Sequence, residues 1–231
     1  MLRVGLTGGL GCGKSTVAAM LRELGAQAIE ADELGRELME PGQSVYAAIA
    51  GRFGAEVVGA DGRLNRARLA ELAFGQGRLD ELNAIVHPAV IAAQQQWMDR
   101  LFARDPAAVA VVESALIFEV VRDARLRGED DGILAAWHRR FDRIVVVTAP
   151  ETVKIARYVA RVQSRGNGAV LPAREALEAE ARRRIARQVR DEEKAAQADY
   201  VIDNAGDKDT LRRQVEALWP RLTAESNKFR L

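Results

Sequence analysis

The run Gly8-Gly9-Leu10-Gly11-Cys12-Gly13-Lys14-Ser15-Thr16 constrains this chain more than any other stretch, because it demands a strand before it and a helix after it. Glycines at this spacing let the backbone bend so that several N–H groups point into one concavity. The N-terminus of the following helix adds unpaired donors and partial positive charge. The run reads as a phosphate-binding loop, with Gly11, Cys12 and Gly13 in its bend. Lys14 would reach the outer phosphates as a point charge, Ser15 would place a hydroxyl on Mg²⁺, and Thr16 would support the first helical turn. Both flanks agree. Leu2-Arg3-Val4-Gly5-Leu6-Thr7 precedes the loop as a strand, and Val17, Met20, Leu21 and Leu24 follow at helical spacing, with Gly25 where a C-terminal cap belongs.

The length of 231 residues leaves room for one α/β core with insertions. With 34 Lys and Arg against 33 Asp and Glu, the formal charge is +1, so no global field favours DNA or RNA and small-molecule partners are expected. One cysteine rules out an internal disulfide and suits a reducing compartment. No apolar stretch approaches the roughly 20 residues that span a bilayer. The short apolar start dissolves at once into glycines and a lysine, unlike a secretory leader. The expectation is a cytoplasmic protein without nucleic-acid or membrane partners, a monomer or weak homo-oligomer.

Ala28-Ile29 marks a second strand, followed by Asp32. Ligands of open parallel sheets gather at the carboxyl ends of strands, which would bring Asp32 toward the γ-phosphate; an N-cap for a helix over 33–39 is the alternative. From Pro41 to Arg104 helices alternate with turns. Helical stretches are expected near Ser44 to Phe53, Arg66 to Phe74, Leu79 to Val86 and Pro88 to Phe102, with a break at His87-Pro88. This is more than a crossover needs, and it reads as an inserted helical lobe.

Val109-Ala110-Val111-Val112 then gives a buried strand ending at Glu113, where a carboxylate could hold Mg²⁺ or its water. Arg122 to Arg140 reads as a solvated helix and loop, with His138 at the surface. Ile144-Val145-Val146-Val147 is the clearest core strand. On the helix after it, Arg157, Arg161 and Arg165 fall at successive four-residue steps and share a face with Lys154. A Gly166-Asn167-Gly168 loop and a second helix carrying Arg182, Arg183, Arg184, Arg187, Gln188 and Arg190 complete a possible lid. Tyr200 to Asn204 is a last strand, and Leu211, Val215 and Leu218 mark a closing helix. The expected fold is α/β: a three-layer P-loop NTPase fold with a parallel five-stranded sheet, an inserted helical substrate lobe and a helical lid. The core would span 1–32, 105–150 and 195–231, the insertion about 33–104 and the lid about 151–194.

A phosphate loop implies a nucleotide but not a reaction. A GTP-dependent switch needs Asp-x-x-Gly after the third strand, yet Asp203-Asn204-Ala205-Gly206 lies at the last one, and Asn227-Lys228-Phe229-Arg230 lacks the aspartate of the partner motif. A small-molecule kinase needs an acceptor site, a carboxylate and a lid that excludes water. The helical lobe, Asp32 and the arginine helices supply these. A nucleoside monophosphate or shikimate type of kinase, or a non-catalytic nucleotide-binding regulator, fits the same parts.

The ordered set of motifs resembles the dephospho-coenzyme A kinase family over nearly the full chain. It runs from Gly5 to Thr16, then Ala31-Asp32 with Arg36, Leu64-Asn65-Arg66 with Leu69 and Phe74, His87-Pro88, Leu116-Ile117-Phe118-Glu119, Arg157 with Arg161, Arg184-Ile185 with Gln188, and Asn204 with Gly206. The resemblance implies phosphorylation of the ribose 3′-hydroxyl of dephospho-CoA by ATP. It implies that Lys14 and Ser15 serve ATP and Mg²⁺, and that Asp32 accepts the hydroxyl proton. Arg36, Asn65, Arg66 and His87 would line the dephospho-CoA lobe, Arg157 and Arg161 would act as lid arginines, and Asn204 and Gly206 would border the adenine. This sequence departs from the family pattern at Cys12, at Glu113 in place of aspartate, at Ala115 in place of proline and at Lys154 in place of glutamine. The segments Arg122 to Arg140 and Gly166 to Pro172 are longer than usual. Beside Lys14 and a helix N-terminus, the Cys12 thiol is expected to have a lowered pKa and to react with thiol reagents.

Overall fold

The computed structural model of the chain describes residues 1–130, 132–164 and 172–228. The expected Gly166-Asn167-Gly168 loop and Arg165 lie outside the described residues, as do Phe229 and Arg230. In chain order the elements are β1 (Leu2–Gly8), α1 (Lys14–Glu23), β2 (Gln27–Glu30), α2 (Ala31–Leu38), α3 (Ser44–Phe53), α4 (Arg66–Ala70) and α5 (Leu79–Arg104). Then follow β3 (Val109–Glu113), α6 (Ile117–Leu126), β4 (Arg143–Thr148), α7 (Glu151–Ser164), α8 (Arg174–Arg187), α9 (Asp191–Ala195), β5 (Tyr200–Asp203) and α10 (Lys208–Asn227).

Continuous Val and Ile runs make β3 and β4 buried on both faces, as the inner strands of a parallel sheet must be. The strand order is β2-β3-β1-β4-β5, and the β1–β3, β1–β4 and β4–β5 pairs are parallel. Alternation along β1 builds the layers. Leu2, Val4 and Leu6 pack with Val17 and Leu21 of α1 and with Leu211, Val215 and Leu222 of α10. A Cβ on Gly5, on the other face, would meet Ile117 of α6 and Phe141. Helices therefore cover both faces of the sheet, and the loop after β1 opens at its centre. That is where ligands of such sheets bind.

The chain forms two compact units, Met1–Ala28 with Leu101–Leu231, and Ile29–Arg100. The second has its own core of Val45, Ile49, Phe53, Val57, Leu69 and Leu72, against which Leu82, Ile85 and Val86 pack. At its surface Arg78 stacks 4.3 Å over Phe53 and pairs with Glu81 at 2.9 Å. Among the described residues no helix is long and apolar enough to cross a membrane.

Several local expectations are corrected. α5 runs unbroken from Leu79 to Arg104 with Pro88 inside it, so His87-Pro88 is not a break. Proline there removes one backbone donor, at a cost of about 3 kcal/mol. Burial of Val90 and Ile91 and packing of Ile85, Val86 and Ala89 on either side of it outweigh that cost. The helix begun at Arg66 widens after Ala70 into a π-turn, closed by Gln76 N–H donating to the Glu71 carbonyl at 3.2 Å. β2 ends at Glu30, the N-cap position of α2, so Asp32 is neither a strand end nor a cap but stands in the first helical turn, where the macrodipole favours an acid. Gln188 and Arg190 lie beyond α8, which ends at Arg187. Finally, Arg122 to Arg140 is not solvated throughout. Arg140 is buried, its Nη2 donates to the Ile117 carbonyl at 3.3 Å, and burial pushes its guanidinium down to about 10. His138 is exposed, as expected.

Candidate active site

Gly11 and Gly13 adopt φ of +73° and +95°, a region that disfavours any residue with a Cβ. Each is also crowded. A Cβ on Gly11 would collide with the Lys154 backbone, and one on Gly13 with the Asn204 amide nitrogen. The loop therefore needs glycine for its turn and for the close approach of two other elements. Lys14 opens α1, and its ammonium donates to the Gly8 and Gly9 carbonyls at 3.1 and 3.2 Å, lying over the loop it serves.

The sheet register brings Glu113 beside Leu6, two residues short of the loop. The Ser15 hydroxyl donates to Glu113 Oε1 at 3.2 Å, although the two residues are 98 positions apart. A hydroxyl and a carboxylate side by side are hard oxygen donors of the kind Mg²⁺ accepts. This donor pair fits the ion that the sequence implies.

β5 ends beside β4, and Asn204 N–H donates to the Thr148 carbonyl at 2.8 Å. That bond turns the buried Asn204 side chain onto the loop. Its Nδ2 donates to the Cys12 carbonyl at 2.8 Å, and its Oδ1 accepts from Arg157 Nη2 at 3.2 Å. Arg157 Nη1 is buried without an acceptor among the described residues. An arginine nitrogen left unsatisfied against a phosphate loop suits a phosphate oxygen. The geometry thus gathers Gly11, Cys12, Gly13, Lys14, Ser15, Glu113, Arg157 and Asn204. Thr16 begins the next turn, its N–H donating to the Gly13 carbonyl at 3.1 Å, and Gly206 is exposed in the turn after β5. Arg161 stays apart, exposed, with its guanidinium 5.8 Å from the Tyr158 ring.

Cys12 reverses its expectation. It is fully buried, and burial pushes its thiol up by more than neighbouring Lys14 pulls it down. Lys154 is likewise no part of an exposed basic face, being buried and paired with Asp191 at 2.8 Å. Most arginines of α8 are balanced locally, Arg174 by Glu178 at 3.0 Å and Arg184 by Glu180 at 2.7 Å. Leu10 N–H donates to Gln188 Oε1 at 2.9 Å, a contact no local pattern announces.

In the helical unit Asp32 and Arg36 are exposed on α2. Asn65 caps α4 by accepting from Arg68 N–H at 3.1 Å, Arg66 follows it at the surface, and His87 is half-buried inside α5.

A parallel sheet with the phosphate loop after its central strand, and a carboxylate and arginine converging on that loop, defines a P-loop nucleotide-binding protein. A family model for dephospho-CoA kinase matches residues 2–129. The dephospho-CoA kinase of Syntrophotalea carbinolica is 40% identical over 96% of this chain and 92% of its own length, and that of Methylococcus capsulatus 39% over 96% of both. A crystal structure from Thermus thermophilus, 29% identical, covers 96% of this chain and 97% of its own with a TM-score of 0.68. A dephospho-CoA kinase structure from Campylobacter jejuni, at 20% identity and a TM-score of 0.64 over 96% of this chain and 98% of its own, shares the fold. The chain belongs to the dephospho-CoA kinase family.

Proposed function

We infer that the chain transfers the γ-phosphoryl group of ATP to the ribose 3′-hydroxyl of dephospho-CoA, giving CoA, ADP and a proton. The observation that carries this reading is family membership along 96% of the chain, joined to an intact phosphate loop. Ser15 and Glu113 would hold Mg²⁺, which neutralises phosphate charge when bound. Lys14 lies over the loop with its ammonium held by the Gly8 and Gly9 carbonyls, and its charge stabilises the transferring group. Arg157, steadied by Asn204, offers Nη1 to the same oxygens. Gly206 and the Asn204 backbone border the adenine, since both ends of the Asn204 carboxamide are already engaged.

The acceptor is assigned to the helical unit, residues 29–100. Arg36 and Arg66 offer exposed guanidinium groups suited to the diphosphate of dephospho-CoA, with Asn65 and His87 as further contacts. Asp32 is solvent-exposed and can take the 3′-hydroxyl proton as the bond to phosphorus forms. Segment 151–194 would cover the nucleotide as a lid with Arg157 and Arg161 as its arginines, while its ends at Lys154 and at Gln188 to Lys194 stay fastened. One buried cysteine suits a reducing compartment, and we read the enzyme as cytoplasmic.

The test is to incubate the purified protein with Mg-ATP and dephospho-CoA and follow ADP and CoA. One ADP per CoA is expected. Equal or faster turnover of AMP or shikimate would overturn the assignment.

A further inference from the structure

The short segment from Gln188 to Lys194, which links α8 to α9 and includes most of α9, is fastened to the molecule at four points that the reaction above does not use. Gln188 Oε1 accepts Leu10 N–H at 2.9 Å. Asp191 Oδ2 pairs with Lys154 Nζ at 2.8 Å, with 13% and 8% of the side chains exposed. Lys194 Nζ pairs with Glu119 Oε1 of α6 at 2.7 Å, with 0% and 5% exposed. The same Glu119 oxygen accepts Val189 N–H at 3.0 Å. The outer pair presses on the loop: a Cβ on Gly9 would lie 2.9 Å from Asp191 Oδ1 and 3.4 Å from Lys154 Nζ.

Ion pairs as buried as these are an inefficient source of stability, because desolvation cancels much of their attraction. What they give is one defined position. The tip of the loop, Gly9 to Gly11, is two-thirds glycine and has little conformational preference of its own. Unsupported, it would have to be ordered by the nucleotide, and affinity would fall by that entropy.

We propose that Lys154, Gln188 and Asp191 are positioning residues that hold the tip of the phosphate loop in shape for ATP, with the Glu119–Lys194 pair anchoring the segment that carries two of them. The proposal rests on the reading of this loop as the ATP site. It also assigns Lys154 a role distinct from that of Lys14. Lys154 is committed to Asp191 and acts through the loop rather than on a phosphate.

The test is calorimetric titration of ATP into the full chain and into Lys154→Met, Asp191→Asn, their double variant and Gln188→Leu, with KM for dephospho-CoA and unfolding midpoints measured alongside. All titrations are made at a temperature where every variant is folded. Each ion-pair single variant should weaken ATP about 10-fold, the double no further, and Gln188→Leu about 5-fold, since residues acting through one contact are non-additive. KM for dephospho-CoA should stay put, and Lys154→Arg should restore most of the affinity. Asp191→Asn binding ATP as tightly as wild type while Lys154→Met binds weakly would make Lys154 a direct phosphate ligand and overturn the proposal. Unchanged ATP affinity in folded variants whose midpoints have dropped would reduce the contacts to packing and also overturn it. A wild-type chain that binds no ATP would refute the reading of the loop itself, a separate outcome.

Discussion

In the sheet unit, Ser15 is joined to Glu113, and Asn204 to both Cys12 and Arg157, whereas in the helical unit Asp32, Arg36 and Arg66 stand exposed on its helices. The first arrangement is fixed by folding, because strand register and glycine turns bring distant residues within hydrogen-bond reach. The second leaves charged side chains in water around a separate apolar core. The contrast teaches how the two substrates are met. A triphosphate binds to dipoles and charges already aimed, which is how electrostatic stabilisation avoids reorganisation during the reaction. Under the proposed assignment, the acceptor would have to organise its own contacts, and its affinity would be reduced by the side-chain entropy lost on binding.

Variants on either side can break this comparison. The largest effect among them is expected from Asp32→Asn, which should lower kcat by about 10²-fold or more while leaving ATP affinity intact, as loss of a positioned base does. Steady-state kinetics with ATP titration reads both quantities, and an unchanged kcat would leave Asp32 as a helix-dipole residue. Next comes Glu113→Gln, which keeps the shape but weakens the anionic partner of Ser15. The Mg²⁺ concentration for half-maximal rate should rise about 10-fold, with saturating Mg²⁺ recovering most activity; an unmoved Mg²⁺ requirement removes Glu113 from the metal's donors. The smallest effect concerns Cys12. With its pKa raised by burial, its thiolate fraction at pH 8.5 lies below that of a free cysteine, and reactivity should grow only at higher pH. Thiol reagents should modify the native protein about 10²-fold more slowly than the denatured chain. Rapid modification that ATP prevents would show an accessible loop cysteine.

Legibility in the sequence followed the range of the interactions. The phosphate loop is local, so nine consecutive residues announced the turn, the strand before it and the helix after it. The runs at Val109 and Ile144 announced buried strands because both of their faces are apolar. Pro88 misled because a local breaking tendency was set against apolar packing that only the folded unit displays. The charge pattern of α7 suggested a basic face, yet Lys154 turns inward because Asp191, 37 residues on, lies beside it. The sequence neighbours of Cys12 suggest a reactive thiol, but its burial is set by the core formed around β1 and α1. The Asn204 bridge to Cys12 spans 192 residues, and no spacing rule reaches that far.

Separate titration of ATP and dephospho-CoA into two variants, one from each unit, tests the division of labour most directly. Lys14→Met should lose ATP affinity by about 10-fold or more and keep its affinity for dephospho-CoA, while Arg36→Ala with Arg66→Ala should do the reverse. If Lys14→Met weakens dephospho-CoA as much as ATP, or the arginine variant weakens both alike, the two units do not hold the two substrates separately and the account is wrong.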